Sequence, residues 1–268
     1  MLDQATELRQ LVRLRSRPVA PRVGPSLIAV TGGKGGVGTT TVAVHLAAAL
    51  ARQSDRVLLV DADPDRTDVA TLCGLAPAMD LADLVVGRRA LDEVAVPGPE
   101  GILVVSGAQP TATDGPAIER FHAHWLAAAR DAADTFDCVV VDTGNGSSRS
   151  VKMLWESAEA VLLVTTTELP SVLDAYASIK TLADRATPPA IHTLVNHTEE
   201  PAAAYDVHGR LARAVWRFLG FHLESAGHLG VAPGPWTPAD SDSPLASDFD
   251  QLARRLRATL RESTRTKV

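Results

Sequence analysis

The chain contains little cysteine and no long apolar run. Only 2 of its 268 residues are Cys, and because Cys73 and Cys138 lie far apart, we predict neither a disulfide nor a metal site built from them. No stretch of about 18 apolar residues is present, which excludes a hydrophobic transmembrane helix. The first apolar run is short and is followed by many Arg and Pro residues, so we expect no signal peptide. Together these absences predict a cytoplasmic protein.

Charge is unevenly distributed along the chain, whose formal net charge is −6. Residues 1–22 carry five Arg against two acids, a net of +3, and residues 251–268 carry six basic residues against one acid, a net of +5. The body between them is therefore at −14. An acidic body argues against a protein that coats nucleic acid. The basic ends predict that the termini meet partners or surfaces that the body does not.

The most informative stretch is a glycine-rich loop between an apolar, strand-like run and an Ala-rich, helix-like run. Residues 31–41 read T-G-G-K-G-G-V-G-T-T-T. This context is typical of a phosphate-binding loop, in which backbone N–H groups and a helix N-terminus face an anion. The usual pattern is G-x-x-x-x-G-K-S/T. Gly33 and Gly38 have that spacing, but Thr39 occupies the lysine slot and the loop's only lysine is Lys34.

The rest of the chain alternates apolar runs with helical patterns. The runs are rich in Val, Ile and Leu without polar alternation, as in a parallel sheet covered on both faces. We therefore predict an α/β fold with a doubly wound, mostly parallel sheet and helices on both faces. The predicted strands are 27–31, 57–61, 102–106, 138–142, 160–166 and 191–196, and the predicted helices are 40–52, 67–73, 80–86, 116–134, 147–157, 172–186, 201–218 and 246–262.

Three further regions complete the predicted organisation. Residues 222–248 are rich in Gly and Pro and are predicted to be loop. Residues 1–15 have a short helical pattern and 16–26 contain three prolines, which predicts a tethered element and a linker before a domain of residues 27–268. By pattern alone the N-terminal element is a frayed tail. The last helix has an apolar side and many arginines, and two interpretations are open: core packing, or a weak basic contact with the inner face of the cell membrane.

Carboxylates follow two of the predicted strands. Asp61 and Asp63 follow the second strand, and Asp142 ends a later one with Gly144 two residues on. Asp142 at such a position can hold Mg²⁺ through water while the glycine approaches a γ-phosphate. Thr40 would ligate Mg²⁺ directly. Asp63 could orient an attacking water, and Asp61 could tune it or hold a Mg²⁺-bound water. A single Asp often only caps a loop, but three beside a glycine loop favour a site.

These motifs resemble the MinD/ParA group of P-loop ATPases (the SIMIBI class), whose deviant loop carries a signature lysine near its start. The resemblance implies ATP or ADP with Mg²⁺ as ligands and a nucleotide-dependent homodimer in which Lys34 reaches the partner's phosphates. It implies Lys34, Asp63 and Asp142 as catalytic residues and Thr40, Asp61 and Asp142 as metal residues. Asn196 either reads the adenine edge, as in the family, or closes a turn. The implied nucleotide-binding residues are Gly33, Lys34, Gly35, Gly36, Val37, Gly38, Thr39, Thr40, Thr41, Gly144 and Asn196.

Within this group the chain is most similar to FlhG (YlxH), the flagellar-number regulators. Residues 142–146 (D-T-G-N-G) are similar to D-T-G-A-G of FlhG, and 174–180 (D-A-Y-A-S-I-K) to its D-A-Y-A-x-I-K helix. Residues 217–220 match its R-F-L-G segment, and 3–9 match its N-terminal D-Q-A-x-x-L-R. In the family that N-terminal helix binds and activates FlhF, an SRP-type GTPase. The resemblance therefore implies a partner-binding helix whose contacts are Asp3, Gln4, Ala5, Leu8 and Arg9.

Two departures from the family pattern bear on function. Asp68 stands where FlhG usually has Asn, and Thr39 replaces the lysine that normally stabilises charge in the transition state. Relatives of the CpaE/TadZ pilus-localisation type often have Thr or Ala in the same slot. We therefore expect retained nucleotide binding with weak or lost hydrolysis. A nucleotide-switched ATPase of FlhG type and a non-hydrolysing polar scaffold of CpaE/TadZ type are both open, whereas ParA-like DNA partitioning fits poorly with the acidic body.

Overall fold

Strands and helices alternate through a computed structural model that describes residues 24–63, 65–107, 115–132, 134–145, 148–183, 189–231 and 244–266. The strands are β1 (Ser26–Gly32), β2 (Val57–Asp61), β3 (Val96–Pro97), β4 (Leu103–Val105), β5 (Cys138–Asn145), β6 (Ala160–Thr165), β7 (Ala190–Val195) and β8 (Glu224–His228). The helices are α1 (Thr39–Arg52), α2 (Val69–Leu72), α3 (Leu81–Val85), α4 (Leu91–Val94), α5 (Gly115–Asp131), α6 (Arg149–Ser157), α7 (Leu169–Ala183), α8 (Pro201–Leu219) and α9 (Pro244–Thr266).

The eight strands form one sheet in the order β3-β4-β2-β5-β1-β6-β7-β8. Every neighbouring pair is parallel except β3 and β4. This confirms the predicted doubly wound, mostly parallel α/β fold. The carboxyl ends of parallel strands meet at one edge of the sheet, so the loops after β1, β2 and β5 are brought together there. The central position of β1 places the glycine loop between the loops that follow β5 and β6.

The sheet is covered on both faces because its strands alternate two sets of buried side chains. Leu27 and Ala29 belong to one core, which also contains the fully buried Trp125 and Trp155 of α5 and α6. The intervening residues of β1 belong to a second core, which α1 and α9 cover. Successive side chains of a strand point to opposite faces of the sheet, and here each face is covered by an apolar core. Neither face of the strand therefore needs polar residues. This explains why the strand sequences are continuous apolar runs rather than alternating ones.

The predicted strands and helices are confirmed except near the C-terminus and at the sheet edge. The prediction that 222–248 is loop is wrong, because β8 lies within it and α9 begins at Pro244. The sequence of β8, E-S-A-G-H, contains no β-branched residue and no Phe, Tyr or Trp, so its strand conformation is imposed by pairing with β7 rather than by local preference. The two-residue β3 and the short α4 were not predicted either.

The strands at the two sheet edges are irregular. In β8, Ala226 is an extra residue opposite β7, which makes a β-bulge, and Gly227 adopts a φ of 107°. The Arg255 side chain of α9 donates from Nη1 to the Ala226 carbonyl at 3.1 Å. At the other edge, β3 contains only two residues, and one of them is Pro97. Proline has no backbone N–H to offer a further strand.

The last helix packs into the core. Its apolar side chains Phe249, Leu252, Ala253, Leu256 and Leu260 are all buried. Arg257 forms an ion pair with Asp55 at 2.9 Å, and Asp250 accepts from Arg52 at 2.6 Å. These contacts confirm the core-packing interpretation for this part of α9. No helix in the described part of the chain is long and apolar enough to cross a membrane. The predicted partner-binding helix of residues 1–15 lies outside the described residues, as does the linker up to residue 23.

Candidate nucleotide-binding site

The glycine loop, residues 33–38, turns sharply from β1 into α1. Gly36 and Gly38 have φ values of 84° and 89°, a left-handed conformation that costs glycine little. Gly38 is the N-cap of α1 and makes no side-chain cap hydrogen bond, and the first turn of the helix contains no acid. The first N–H groups of a 14-residue helix therefore stay directed at the loop, and the N-cap residue has no side chain that could accept from them. Such a terminus favours an anion.

Two distant parts of the chain support the loop. A Cβ at Gly33 would lie 2.5 Å from the Ala175 backbone nitrogen, so only glycine fits against the D-A-Y-A segment of α7. The Asn196 side chain donates from Nδ2 to the Val37 carbonyl at 2.8 Å, and a Cβ at Gly38 would lie 2.5 Å from the same Nδ2. The loop is therefore held by α7 on one side and by the residue after β7 on the other.

Asn196 has a structural role that the sequence did not reveal. It is 6% exposed, and its backbone N–H donates to the Thr165 carbonyl at 2.7 Å while its side chain holds the loop. This arrangement fits the interpretation of Asn196 as a residue that closes a strand end. Its contact with an adenine edge stays a prediction.

Asp61 and Asp142 lie side by side because β2 and β5 pair in that register. Both are almost fully buried, at 1% and 0% exposure. Burial raises the pKa of Asp61 to about 8, with a further contribution from the charge of Asp142. Burial also raises the pKa of Asp142 to about 6, although hydrogen bonds from the Thr40 side chain and the Gly144 backbone lower it. Two carboxyls with raised pKa values next to a glycine loop mark a site that favours added positive charge.

Asp63 lies against Gly144, as expected for residues that act on the same group. Its carboxylate would lie 2.2–2.6 Å from a Cβ on Gly144, whose φ of 64° also favours glycine. Asp63 Oδ1 accepts from the backbone N–H groups of Asp65 and Arg66 at 2.8 and 3.2 Å. Burial raises the pKa of Asp63. The structure thus brings together the predicted residues of the loops after β2 and β5.

The donor set fits Mg²⁺ only in part. Asp142 Oδ2 is a buried oxygen without a hydrogen-bond partner of good geometry in the described residues, even though the Thr40 hydroxyl is close enough to affect the pKa of the group. An orphaned carboxylate oxygen beside a Thr hydroxyl suits a hard cation. In the described part of the chain, no three His, Cys, Asp or Glu residues come together as a metal site. A Mg²⁺ ion here would therefore depend on oxygens that the nucleotide supplies.

Side-chain hydrogen bonds join the ends of β1 and β5. Thr143 Oγ1 donates to the Val30 carbonyl at 3.0 Å, and Thr31 Oγ1 donates to the Gly144 carbonyl at 3.3 Å. The buried Trp155 of α6 donates from Nε1 to Thr143 Oγ1 at 3.3 Å. The D-T-G motif is therefore tied to the glycine-loop strand and to α6. Sequence reasoning missed this role for Thr143 and Trp155, although the Trp near the end of the helix that follows the motif was visible.

The two unusual positions of the loop have different surroundings. Lys34 Nζ lies 3.1 Å from Glu168 Oε2, and the side chains are 34% and 67% exposed. The reach of Lys34 across a dimer stays a prediction. Thr39 is 8% exposed, and its Oγ1 lies 2.5 Å from where a Cβ of Gly32 would be. The Thr39 side chain thus packs against the start of the loop and brings no positive charge.

Comparison with known proteins agrees with this geometry. Residues 28–264 match the family described as CobQ/CobB/MinD/ParA nucleotide binding domain. The antiactivator FleN of Pseudomonas aeruginosa is 39% identical over 207 residues, 77% of this chain and 73% of that protein. The flagellum site-determining protein YlxH of Helicobacter pylori is 26% identical, with 67% and 62% covered. The solved structure of MinD complexed with Mg-ADP from Pyrococcus horikoshii has a similar fold, with a TM-score of 0.67, 21% identity and 87% and 96% of the chains covered.

Proposed function

The chain belongs to the CobQ/CobB/MinD/ParA nucleotide binding domain family, and on this premise we propose that it is a nucleotide-switched regulator of flagellar number or placement. It binds ATP or ADP with Mg²⁺ at the glycine loop. The observation that carries the proposal is the convergence of this loop with Asp142 Oδ2, a buried oxygen without a well-formed hydrogen bond among the described residues. A neutral or purely anionic ligand would leave that carboxylate uncompensated, and a basic ligand would offer no anion to the loop, whereas a Mg²⁺–nucleotide complex offers a cation to the acid and phosphates to the loop.

Each part of the site has a defined task in this proposal. The backbone N–H groups of the glycine loop and of the first turn of α1 bind the phosphates. Thr40 and Asp142 hold Mg²⁺, which supplies charge neutralisation when it is bound. Asp63 orients a water next to Gly144, and its buried position keeps its pKa raised so that it can accept a proton. Lys34 leaves Glu168 to contact the phosphates of a second copy, so that nucleotide state controls dimerisation.

The flagellar assignment rests on relatives and on the N-terminal motif. FleN is named an antiactivator and YlxH a flagellum site-determining protein. The D-Q-A-T-E-L-R segment at residues 3–9 adds the expectation of an SRP-type GTPase partner of FlhF type. In this proposal the nucleotide-binding domain controls where the protein is, and the N-terminal helix acts on the partner.

A second function, a non-hydrolysing polar scaffold of CpaE/TadZ type, is favoured by one observation. Thr39 brings no charge to the lysine slot and is packed against the loop, so the site lacks the cation that assists hydrolysis in ordinary P-loops. A scaffold would bind nucleotide for structure only. Both functions share nucleotide binding and differ in ATP turnover, so a steady-state hydrolysis assay distinguishes them.

Nucleotide binding itself is tested by Gly33→Ala. The added Cβ would lie 2.5–3.0 Å from backbone atoms of Asp174 and Ala175, which cannot move aside as a flexible side chain can. We expect the loop to shift and the Kd values for Mg-ATP and Mg-ADP to rise about tenfold by isothermal titration calorimetry, with a loss of about 1–3 kcal/mol in stability. Gly209→Ala on α8 is the matched control, because its Cβ would meet only the Arg213 side chain at 3.4 Å. Equal affinity in both variants would contradict the loop as the binding site.

The partner assignment is tested by deleting residues 1–10. In the presence of a purified FlhF-type GTPase, the full chain should stimulate GTP hydrolysis, and the deletion should return it to the basal rate. Gln4→Ala, which leaves the rest of the segment in place, separates a direct role of that side chain from loss of the whole helix. Stimulation that survives the deletion would exclude the N-terminal segment as the activating element.

A further inference from the structure

The carboxyl end of the sheet is poor in positive charge, although the proposed ligand is an anion. By sequence, the loops that follow the parallel strands contain only two Lys or Arg residues, Lys34 and Arg66. The same loops contain Asp63, Asp68 and Glu168, next to the buried Asp61 and Asp142 at the strand ends. With Thr39 in the lysine slot, a bound triphosphate meets more negative than positive charge here. A further cationic side chain would offset this excess beyond what Mg²⁺ and the backbone N–H groups supply.

We propose that Arg66 binds the γ-phosphate of ATP in the charge role of the lysine that is absent at position 39, and that Asp68 holds Arg66 when no triphosphate is bound. The proposal rests on the proposed nucleotide-binding function. The proposed function assigns Lys34 to the phosphates of a second copy, whereas Arg66 has no such task and, among the described residues, forms its ion pair with Asp68 on the same loop. Arg66 is the one arginine that the fold places on these loops.

The backbone of Arg66 is anchored beside Asp63 and Gly144, where the proposed function places the γ-phosphate. Its N–H donates to Asp63 Oδ1 at 3.2 Å, and the Asp63 carboxylate in turn lies against Gly144. Asp68 is near enough to Asp63 and Asp142 for its charge to raise the pKa of both. The ion pair with Asp68 keeps the guanidinium of Arg66 on the same loop as Asp63. The proposal requires a change of the Arg66 side-chain rotamer, without movement of the loop.

The Arg66–Asp68 ion pair is one in which a phosphate can replace Asp68 as the partner of Arg66. Arg66 Nε donates to Asp68 Oδ2 at 2.9 Å, and Nη2 lies 2.8 Å from the same oxygen in the ion pair. The two side chains are 73% and 43% exposed, and ion pairs in such positions contribute little to stability. A phosphate offers the same planar donors more negative charge than a carboxylate does. The Asp68 side chain makes no cap hydrogen bond to α2. Its role is therefore to pair with Arg66, and release of Arg66 does not disturb the helix end.

This assignment gives the two departures from the family pattern a common explanation. Loss of the lysine at position 39 removes a cation from the phosphate site, and an acid at position 68 provides a resting partner for a cation on the adjacent loop. An uncharged Asn at position 68 would bind Arg66 less strongly. Arg66 would then be directed at phosphate in every state, and the site would discriminate less between nucleotide-free and triphosphate-bound forms.

The test compares two Kd values in the presence of Mg²⁺, one for a non-hydrolysable ATP analogue and one for ADP. Both are measured by calorimetry on the full chain. Arg66→Ala should weaken the triphosphate about tenfold and ADP by less than about twofold, because only the triphosphate has the γ-phosphate. Asp68→Asn should tighten the triphosphate about threefold, and this gain should vanish when it is combined with Arg66→Ala. Arg88→Ala is the matched control, because Arg88 is 74% exposed and also pairs with an acid on its own segment.

The outcomes separate this inference from the function on which it rests. If the unaltered chain binds neither nucleotide, the proposed function fails regardless of Arg66. If it binds both, and Arg66→Ala changes neither or weakens both equally, the function stands and the role of Arg66 is overturned. Circular dichroism melting of each variant identifies a folding defect, and Arg66→Lys should restore part of the triphosphate affinity if charge is what matters.

Discussion

Thr39→Lys is expected to raise the steady-state ATP turnover of this protein about a hundredfold, because one preorganised positive group in a phosphate site has about that effect on the transition state. Position 39 is the first residue of α1, where the helix dipole and the loop already favour anions. A lysine there would add the charge that the packed Thr39 side chain does not supply. The measurement is phosphate release with Mg-ATP at saturating concentration.

The control for this experiment is Thr181→Lys. Thr181 lies on α7, where its hydroxyl donates to the Ala177 carbonyl one turn back, so the same change adds a lysine away from the loop. Its turnover should equal that of the unaltered chain. If the unaltered chain already turns over ATP at the rate of the Thr39→Lys variant, the lysine slot does not limit hydrolysis, and the scaffold function is excluded. If neither hydrolyses ATP while both bind it, the scaffold function is favoured.

Asp61→Asn is expected to raise the free energy of unfolding of the ligand-free protein by about 3 kcal/mol at pH 8. Burial and the neighbouring Asp142 raise the pKa of Asp61 from 3.8 to about 8. Between these two values the folded protein binds more protons than the unfolded chain, so stability falls as pH rises through this window. The neutral Asn removes the cost of burying a charged carboxylate. It also keeps an oxygen that can accept from the backbone N–H of Val69, as Asp61 Oδ2 does at 3.2 Å.

The pH dependence distinguishes this explanation from simple repacking. Near pH 5 the folded Asp61 is protonated, so the gain from Asp61→Asn should be much smaller than at pH 8. Asp92→Asn, a change at an exposed acid of α4, should alter stability little at either pH. A gain of equal size at both pH values in urea unfolding would show that the charge of Asp61 is not the cause. The variant should also bind Mg-ATP less tightly, because Asp61 is expected to lower the stability of the ligand-free protein while it contributes to nucleotide binding.

The sequence predicted those features of the site that are local in the chain. The run from β1 through the glycine loop to α1 has its own pattern of apolar residues, glycines and helix formers, so its geometry could be anticipated. The proximity of Asp61 and Asp142 followed from a general property of parallel sheets, because both acids end apolar runs. The family resemblance then assigned tasks to these residues, including a role for Lys34 that spacing alone does not suggest.

The contacts that hold the site together were not predictable in the same way. Asn196 reaches Val37 across 159 positions of sequence, and Gly33 packs on Ala175 through backbone atoms. Such contacts have no local periodicity, since they depend on where the fold brings distant segments. The same is true of β8, whose residues have weak strand preference and adopt the conformation only beside β7. Local patterns identify the chemistry of this protein, and tertiary packing determines its geometry.

The irregular edges of the sheet limit how copies of this protein can associate. At β8 the bulge at Ala226 and the Arg255 side chain on its carbonyl disrupt the row of backbone groups that a foreign strand would need. At β3 the short strand and Pro97 have the same effect. High local concentrations of the protein are therefore not expected to cause edge-to-edge β-aggregation. In the proposed function, copies associate instead through the loop surface at the carboxyl end of the sheet, where a bound nucleotide would control the association.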